Sequence, residues 1–305
     1  MHINENFIVE QLSDKKFFLS NKENGTGYYV VSKRDIRSTE ILENTPEVLH
    51  KINYITDQLP LPVEEKWINR FIKFANPYNE RSLLATLLLT FFVSIALLVY
   101  MTIQGDFFQK TVAFSPGKTV LAVGVFLLGV TFIHEVLHII VARMQDIYIF
   151  KYGMKFKYYF IPILYVRILP TGNNIKRSNV AFAGNVADLF LLIIYITLFY
   201  LTGNDLFIQV FYLQMIMLFF NYNPLFPTDF YIFLFSLLRK SDFRYRSILY
   251  TKYTFKISKK IDAKTLSKDT RTKAFYLLYG LAFCLMIAMF FATFAFNIYM
   301  LLGGM

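Results

Sequence analysis

The chain has 305 residues, 55% of them hydrophobic and 17% charged, with a formal net charge of +11. So high an apolar content, gathered in long runs rather than spaced stripes, excludes an ordinary soluble domain, and a single cysteine, Cys284, excludes a disulfide framework. The basic excess does not make a nucleic-acid binder, because Lys and Arg fall between the apolar runs instead of forming one patch.

Residues 1–79 read as a small cytoplasmic α+β domain, winged-helix-like. Lys16–Ser20 and Tyr28–Val31 flank a polar stretch containing Asn24-Gly25, the pattern of a β-hairpin. Helical patterns follow near 34–43, 46–57 and 63–75. In the last, Val63, Trp67 and Phe71 recur at four-residue spacing and are expected to line one face.

Residues 80–305 read as an α-helical polytopic membrane domain. Apolar runs at 83–104, 119–142, 179–203, 206–238 and 274–302 each exceed the roughly 20 residues that cross a bilayer, predicting about five transmembrane helices. The first begins after a long polar stretch, so no cleavable signal peptide is expected. Residues 148–169 are aromatic and β-branched. Lys151, Lys155, Lys157 and Arg167 are spread through them, which suits β-structure at the membrane surface better than a sixth helix.

Of 32 Lys and Arg residues, 11 precede the first run and 2 lie between the first and second. Seven lie in 143–177, none between the third and fourth runs, and 12 in 239–273. Cytoplasmic loops carry the positive charge, so the amino terminus is expected in the cytoplasm and the carboxyl terminus outside, with some attraction to anionic lipid. Richness in Lys, Ile, Asn, Phe and Tyr suggests an AT-rich genome, hence a multi-pass protein of a bacterial cell membrane.

His134-Glu135-Val136-Leu137-His138 is an H-E-x-x-H motif inside an apolar run. On a helix, residues i and i+4 share a face, so both imidazoles can bind one Zn2+ ion while Glu135, one step round, reaches the water beside it. Ionisable groups in a bilayer cost several kcal/mol, so this span needs a compensating purpose. A catalytic zinc takes three protein ligands. His2 and His50 belong to the amino-terminal domain, so the third should be a carboxylate in another span, Asp188 or Asp229.

Asp229 follows Asn221-Tyr222-Asn223-Pro224-Leu225-Phe226-Pro227-Thr228. A straight helix over 206–238 would be about 50 Å long, more than a bilayer needs, so the run must bend or unwind, and the two prolines supply the place. Measured from Arg143 and Arg239 at the cytoplasmic ends, the histidines lie about 10 Å deep and Asp229 about 15 Å, close enough in depth to converge.

On these residues the sequence resembles the site-2 protease family of intramembrane zinc metalloproteases. That family joins H-E-x-x-H to an aspartate in an N-x-x-P-x-x-P-x-D-G-like motif two helices later. Asn221, Pro224, Pro227 and Asp229 stand at those spacings, and Ala183–Asp188 resembles the A-G-P-x-A-N segment between them. The resemblance covers about residues 119–240, the metal core. Phe230 stands in place of the glycine after the aspartate, and Asn185 and Asp188 in place of the proline and asparagine. Asp188 is read as a helix-packing polar contact in preference to a metal contact. The amino-terminal domain, with Tyr159–Val166, is similar to the peptide zinc metalloprotease subgroup, in which a peptide-chaperone-like module precedes the protease core.

The resemblance implies a zinc-dependent metalloendopeptidase with His134, His138 and Asp229 on the metal, Glu135 as catalytic base, and Asn221 or Asn223 on the substrate backbone. The expected partners are the lipid bilayer, a peptide or membrane-protein substrate such as a bacteriocin-like or modified ribosomal peptide, and a peptide export transporter; nucleic acid is not among them. The alternative is a non-catalytic membrane immunity or transport-accessory protein with a structural zinc site.

Overall fold

The computed structural model describes residues 2–32, 36, 49, 51–56, 63, 64, 66–72, 77–105, 116–157, 161–240, 242–257 and 269–303. Internal contacts divide the chain into two units, Met1–Tyr222 and Asn223–Met305.

The first unit opens with β1 (His2–Ile3), paired antiparallel with β5 (Ile55–Thr56). An antiparallel sheet follows, β2 (Phe7–Ser13), β3 (Lys16–Asn21) and β4 (Gly27–Val31), in that order. The expected hairpin is β3–β4, and its turn uses Gly25 at φ +68°, a conformation that resists a side chain. The central strand is buried on both faces from Phe17 to Asn21. Phe17 and Leu19 join Phe7, Val30 and Tyr54 in one core. Phe18, on the other face, meets Tyr29 at 4.7 Å between ring centroids and sits so close to Gly172 that a Cβ there would be 2.8 Å from its own.

Two helical expectations in this segment change. The 34–43 pattern lies outside the described residues except for Ile36. The 46–57 pattern ends early: Asn53 takes a left-handed φ of 60° and Ile55–Thr56 is strand. The third helix, α1, is only Trp67–Phe71, and its buried face carries Ile68 and Asn69, while Trp67 is 61% exposed. The cause is polar. The Asn69 side chain accepts from the Ile149 N–H at 2.9 Å and donates to the Ile149 carbonyl at 3.1 Å, so Asn69 faces inward and Trp67 does not.

Helix α2 (Glu80–Gln104) is capped by Asn79, whose side chain accepts from the Arg81 and Ser82 amides. Then α3 (Pro116–Leu128) runs through a π-helical stretch, Gly129–His134, into α4 (Glu135–Met144). The β-like stretch forms a hairpin, β6 (Ile149–Lys157) with β7 (Ile161–Ile168), irregular between Ile149 and Lys151. Helix α5 (Asn174–Thr202) starts at an Asn173 cap and ends at Gly203, φ +64°, and Asn204 caps α6 (Asp205–Asn221) directly afterwards. Leu189, Leu192, Tyr195, Ile196 and Phe199 of α5 pack with Ile208, Val210 and Phe211 of α6, which makes α5 a central helix of this unit.

The second unit has α7 (Asp229–Leu237), α8 (Phe243–Thr254) and α9 (Thr270–Gly303). Its aromatic core is Tyr231, Phe235, Phe243 and Tyr276. The 206–238 run is interrupted as its prolines require: α6 stops at Asn221 and α7 starts at Asp229.

Among the described residues, four helical stretches are long and apolar enough to cross a membrane: Glu80–Gln104, Pro116–Met144, Asn174–Thr202 and Thr270–Thr293. The apolar α6, at 17 residues, is shorter than these. The architecture is thus mostly helical, with four candidate spans where about five were expected, plus small sheets.

Candidate metal centre

His134 closes the π-helical stretch and His138 lies one turn into α4, so the two imidazoles share a helix face. A π-turn widens the helix locally and often accompanies a functional site. Gly129 lets it pack: a Cβ there would collide with the Tyr195 hydroxyl of α5.

Each imidazole is held from behind. His134 Nδ1 is 3.0 Å from Asp188 Oδ1, and His138 Nδ1 is 2.6 Å from the Val180 carbonyl. A carbonyl only accepts, so His138 carries its proton on Nδ1, and the carboxylate sets the same tautomer on His134. The two Nε2 lone pairs then face each other at 3.1 Å. That arrangement repels unless a cation sits between them. Two nitrogens on one tetrahedral zinc, each at about 2.0–2.1 Å, would be roughly 3.3 Å apart, so the spacing suits a shared metal.

Space is kept open beside the pair. Gly184 of α5 lies against both rings, and a Cβ there would be 2.5 Å from His134 Cε1 and 2.6 Å from each Nε2. The third candidate ligand, Asp229, is the first residue of α7. One ligand atom from each of His134, His138 and Asp229 lies within 4.8 Å of the others, the histidines buried and the aspartate half-buried. This His/His/Asp group is compatible with a metal ion. Asp188, the other carboxylate candidate, stands behind His134. Glu135, next to His134, is half-buried and opens α4.

Asp188 is fully buried, and beyond His134 it accepts from Gln214 Nε2 at 3.1 Å and from Asn221 Nδ2 at 2.8 Å. Three donors on one carboxylate satisfy a charge that burial would otherwise penalise heavily. Sequence reasoning singled out Asn221 and Asp188 but not their pairing, and it missed the parts played by Gln214 and Gly184. A signal existed in each case. Gln214 and Asn221 are seven apart, two turns along one face of an apolar helix, and Gly184 precedes Asp188 by four. The Asn223 side chain has other partners: its Oδ1 accepts from the Leu225 amide at 2.9 Å and its Nδ2 reaches Met286 Sδ at 3.5 Å. The Asn185 Oδ1 and Gln214 Oε1 atoms are buried with no hydrogen-bond partner among the described residues, positions suited to ordered water.

Comparison with protein-family models, curated proteins and solved structures returns no match. Function is therefore read from the chemistry of the site itself.

Proposed function

We propose that the chain is an intramembrane zinc metalloprotease of the site-2 type, acting on a membrane-associated or secreted peptide in a bacterial cell membrane. One observation carries the reading: His134, His138 and Asp229 bring ligand atoms within 4.8 Å of one another, with an acid, Glu135, next to the first. Two nitrogens and a carboxylate oxygen are the donor set of hydrolytic zinc sites. Bound there, the ion would polarise the scissile carbonyl and acidify water.

The remaining steps belong to the chain. Glu135 takes a proton from the attacking water and passes it to the leaving amine. Asp188 and the Val180 carbonyl hold both imidazoles in the ligating tautomer. Asn221 or Asn223 is the candidate hold on the extended substrate backbone, and either would exchange a partner inside the protein for the substrate. A helical substrate hides its peptide bonds, so it must unwind first, and the β6–β7 hairpin is the candidate element to receive it as an added strand. The amino-terminal sheet, read as a winged-helix-like peptide-binding module, favours a ribosomally made peptide as substrate and a peptide exporter as neighbour. In this reading α6 and α7 together make a fifth crossing, broken where the site is built.

The test is to express the wild type and Glu135→Gln with candidate peptides and map cleavage by mass spectrometry. Glu135→Gln is expected to keep its metal and lose all cleavage. Cleavage surviving in the variant would refute the role of Glu135. A wild type that binds metal without cleaving any candidate would favour a structural zinc site in a non-catalytic membrane protein.

A further inference from the structure

The second unit carries a charge pattern that the metal centre does not use. Across 239–257 and 269–273 there are eight Lys and Arg residues against two acids, Asp242 and Asp269. Arg239, Lys240 and Arg246, with Asp242, Phe243 and Tyr276, line a cleft of about 230 Å³ at the carboxyl end of α7 and the amino-terminal turns of α8 and α9. Neutralisation is weak. Asp242 reaches Arg246 at 3.7 Å with both side chains largely in the open, and among the described residues no carboxylate pairs with Arg239 or Lys240. Asp269 accepts from the Arg271 and Thr272 amides and the Thr272 hydroxyl, and it also lies close enough to Lys240 to feel its charge, so it offsets part of that cation.

The surroundings of the cleft are apolar. Leu238 ends α7 at 55% exposure, and Phe275 and Leu278 open the apolar length of α9 at 62% and 64%. On α8, Tyr245, next to Arg246, is 67% exposed. Three cations, apolar side chains and exposed aromatic rings at the end of a membrane-length helix are the chemistry of the headgroup level of a bilayer. A protein anion would not need the exposed Leu and Phe residues, and a free anion would gain nothing from them.

We propose that this cleft binds the phosphodiester headgroup of an anionic phospholipid, with Arg239, Lys240 and Arg246 on the phosphate and the acyl chains running along α7 and α9. The assignment is independent of the metal centre. The test titrates the full-length protein in detergent with dioleoyl-phosphatidylglycerol or dioleoyl-phosphatidylcholine, read by native mass spectrometry. Arg239→Gln with Lys240→Gln should weaken phosphatidylglycerol binding about 25-fold, at roughly fivefold per charge, and leave phosphatidylcholine binding unchanged. Unchanged phosphatidylcholine binding also reports that the variant is folded, and the single Arg246→Gln provides a milder second reading. A charge-matched control, Lys16→Gln with Lys51→Gln, should leave both affinities alone. Equal phosphatidylglycerol binding by the cleft variant and the wild type would overturn the proposal, as would an equal loss in the control. Displacement of the lipid by inorganic phosphate alone would also overturn it, by making the cleft a site for free anions.

Discussion

At the residue scale the account turns on Asp188. A carboxylate buried without hydrogen-bond donors is strongly unfavourable, and here His134, Gln214 and Asn221 supply them. Such a contact fixes the imidazole tautomer and raises its basicity, and removing one typically costs 10- to 100-fold in metal affinity. Asp188→Asn keeps the shape and loses the charge, so zinc affinity measured against a competing chelator should fall by about that factor. Unchanged affinity would reduce Asp188 to helix packing. Gly184→Ala tests the space instead: with a Cβ about 2.5 Å from the rings, the folded variant should lose its metal by elemental analysis. The H-E-x-x-H ligands were legible because five consecutive residues state their own geometry. Asp188 was legible as a polar contact between helices, but its particular partners were not, because two of them lie 26 and 33 residues further on, along α6.

At the element scale, length and hydropathy located the long helices, and the two prolines located the break before α7. Short elements were harder. The Val63, Trp67, Phe71 spacing suggested a face, yet the buried side of α1 is decided by Asn69, whose amide substitutes for a strand partner of Ile149. Four-residue apolar spacing over one or two turns carries little information against a tertiary hydrogen bond of that kind. Nothing in the residues signals the π-helical stretch. Asn69→Ala should strand both Ile149 backbone groups and lower the unfolding free energy by about 1–3 kcal/mol, read from a denaturant midpoint. An unmoved midpoint would mean that the clamp contributes nothing. At the start of α9, the Thr272 hydroxyl and amide and the Arg271 amide hold the Asp269 carboxyl below the usual carboxylate range. A lowered folded-state pKa stabilises at neutral pH, and that contribution is lost as pH falls through the lowered value. Protection factors for amide exchange at 270–273, taken against the intrinsic rate at each pH, should therefore fall in acid in the wild type and be low at all pH values in Asp269→Ala.

At the scale of the whole molecule, the amino-terminal sheet belongs to the first unit by direct bonds. Glu10 Oε2 accepts from the Thr171 hydroxyl and the Gly172 amide, each at 2.8 Å, and the Ser20 hydroxyl donates to the Pro170 carbonyl at 2.6 Å. Arg143, at the end of the metal-bearing helix, donates to the carbonyls of Asn69, Ile72 and Ile147. Composition suggested a separate domain over 1–79, whereas the contacts place its described residues in one unit with the helices up to Tyr222; the attachment depends on pairs more than 70 residues apart, which spacing does not reveal. Membrane topology discriminates between readings by parity. If α6 and α7 together make a crossing, five spans put the termini on opposite sides; if they do not, four spans put them on the same side. In a Cys284→Ser background, cysteines introduced at Ser13 and Met305 should react with a membrane-impermeant reagent from opposite sides in intact and inverted vesicles. Labelling from one side would contradict the fifth crossing.

The most direct measurement is an anomalous-scattering map of the purified full-length protein at the zinc absorption edge. The account expects one peak about 2 Å from His134 Nε2, His138 Nε2 and an Asp229 carboxylate oxygen. No peak there, or a peak on the imidazoles that leaves Asp229 uncoordinated, would contradict it.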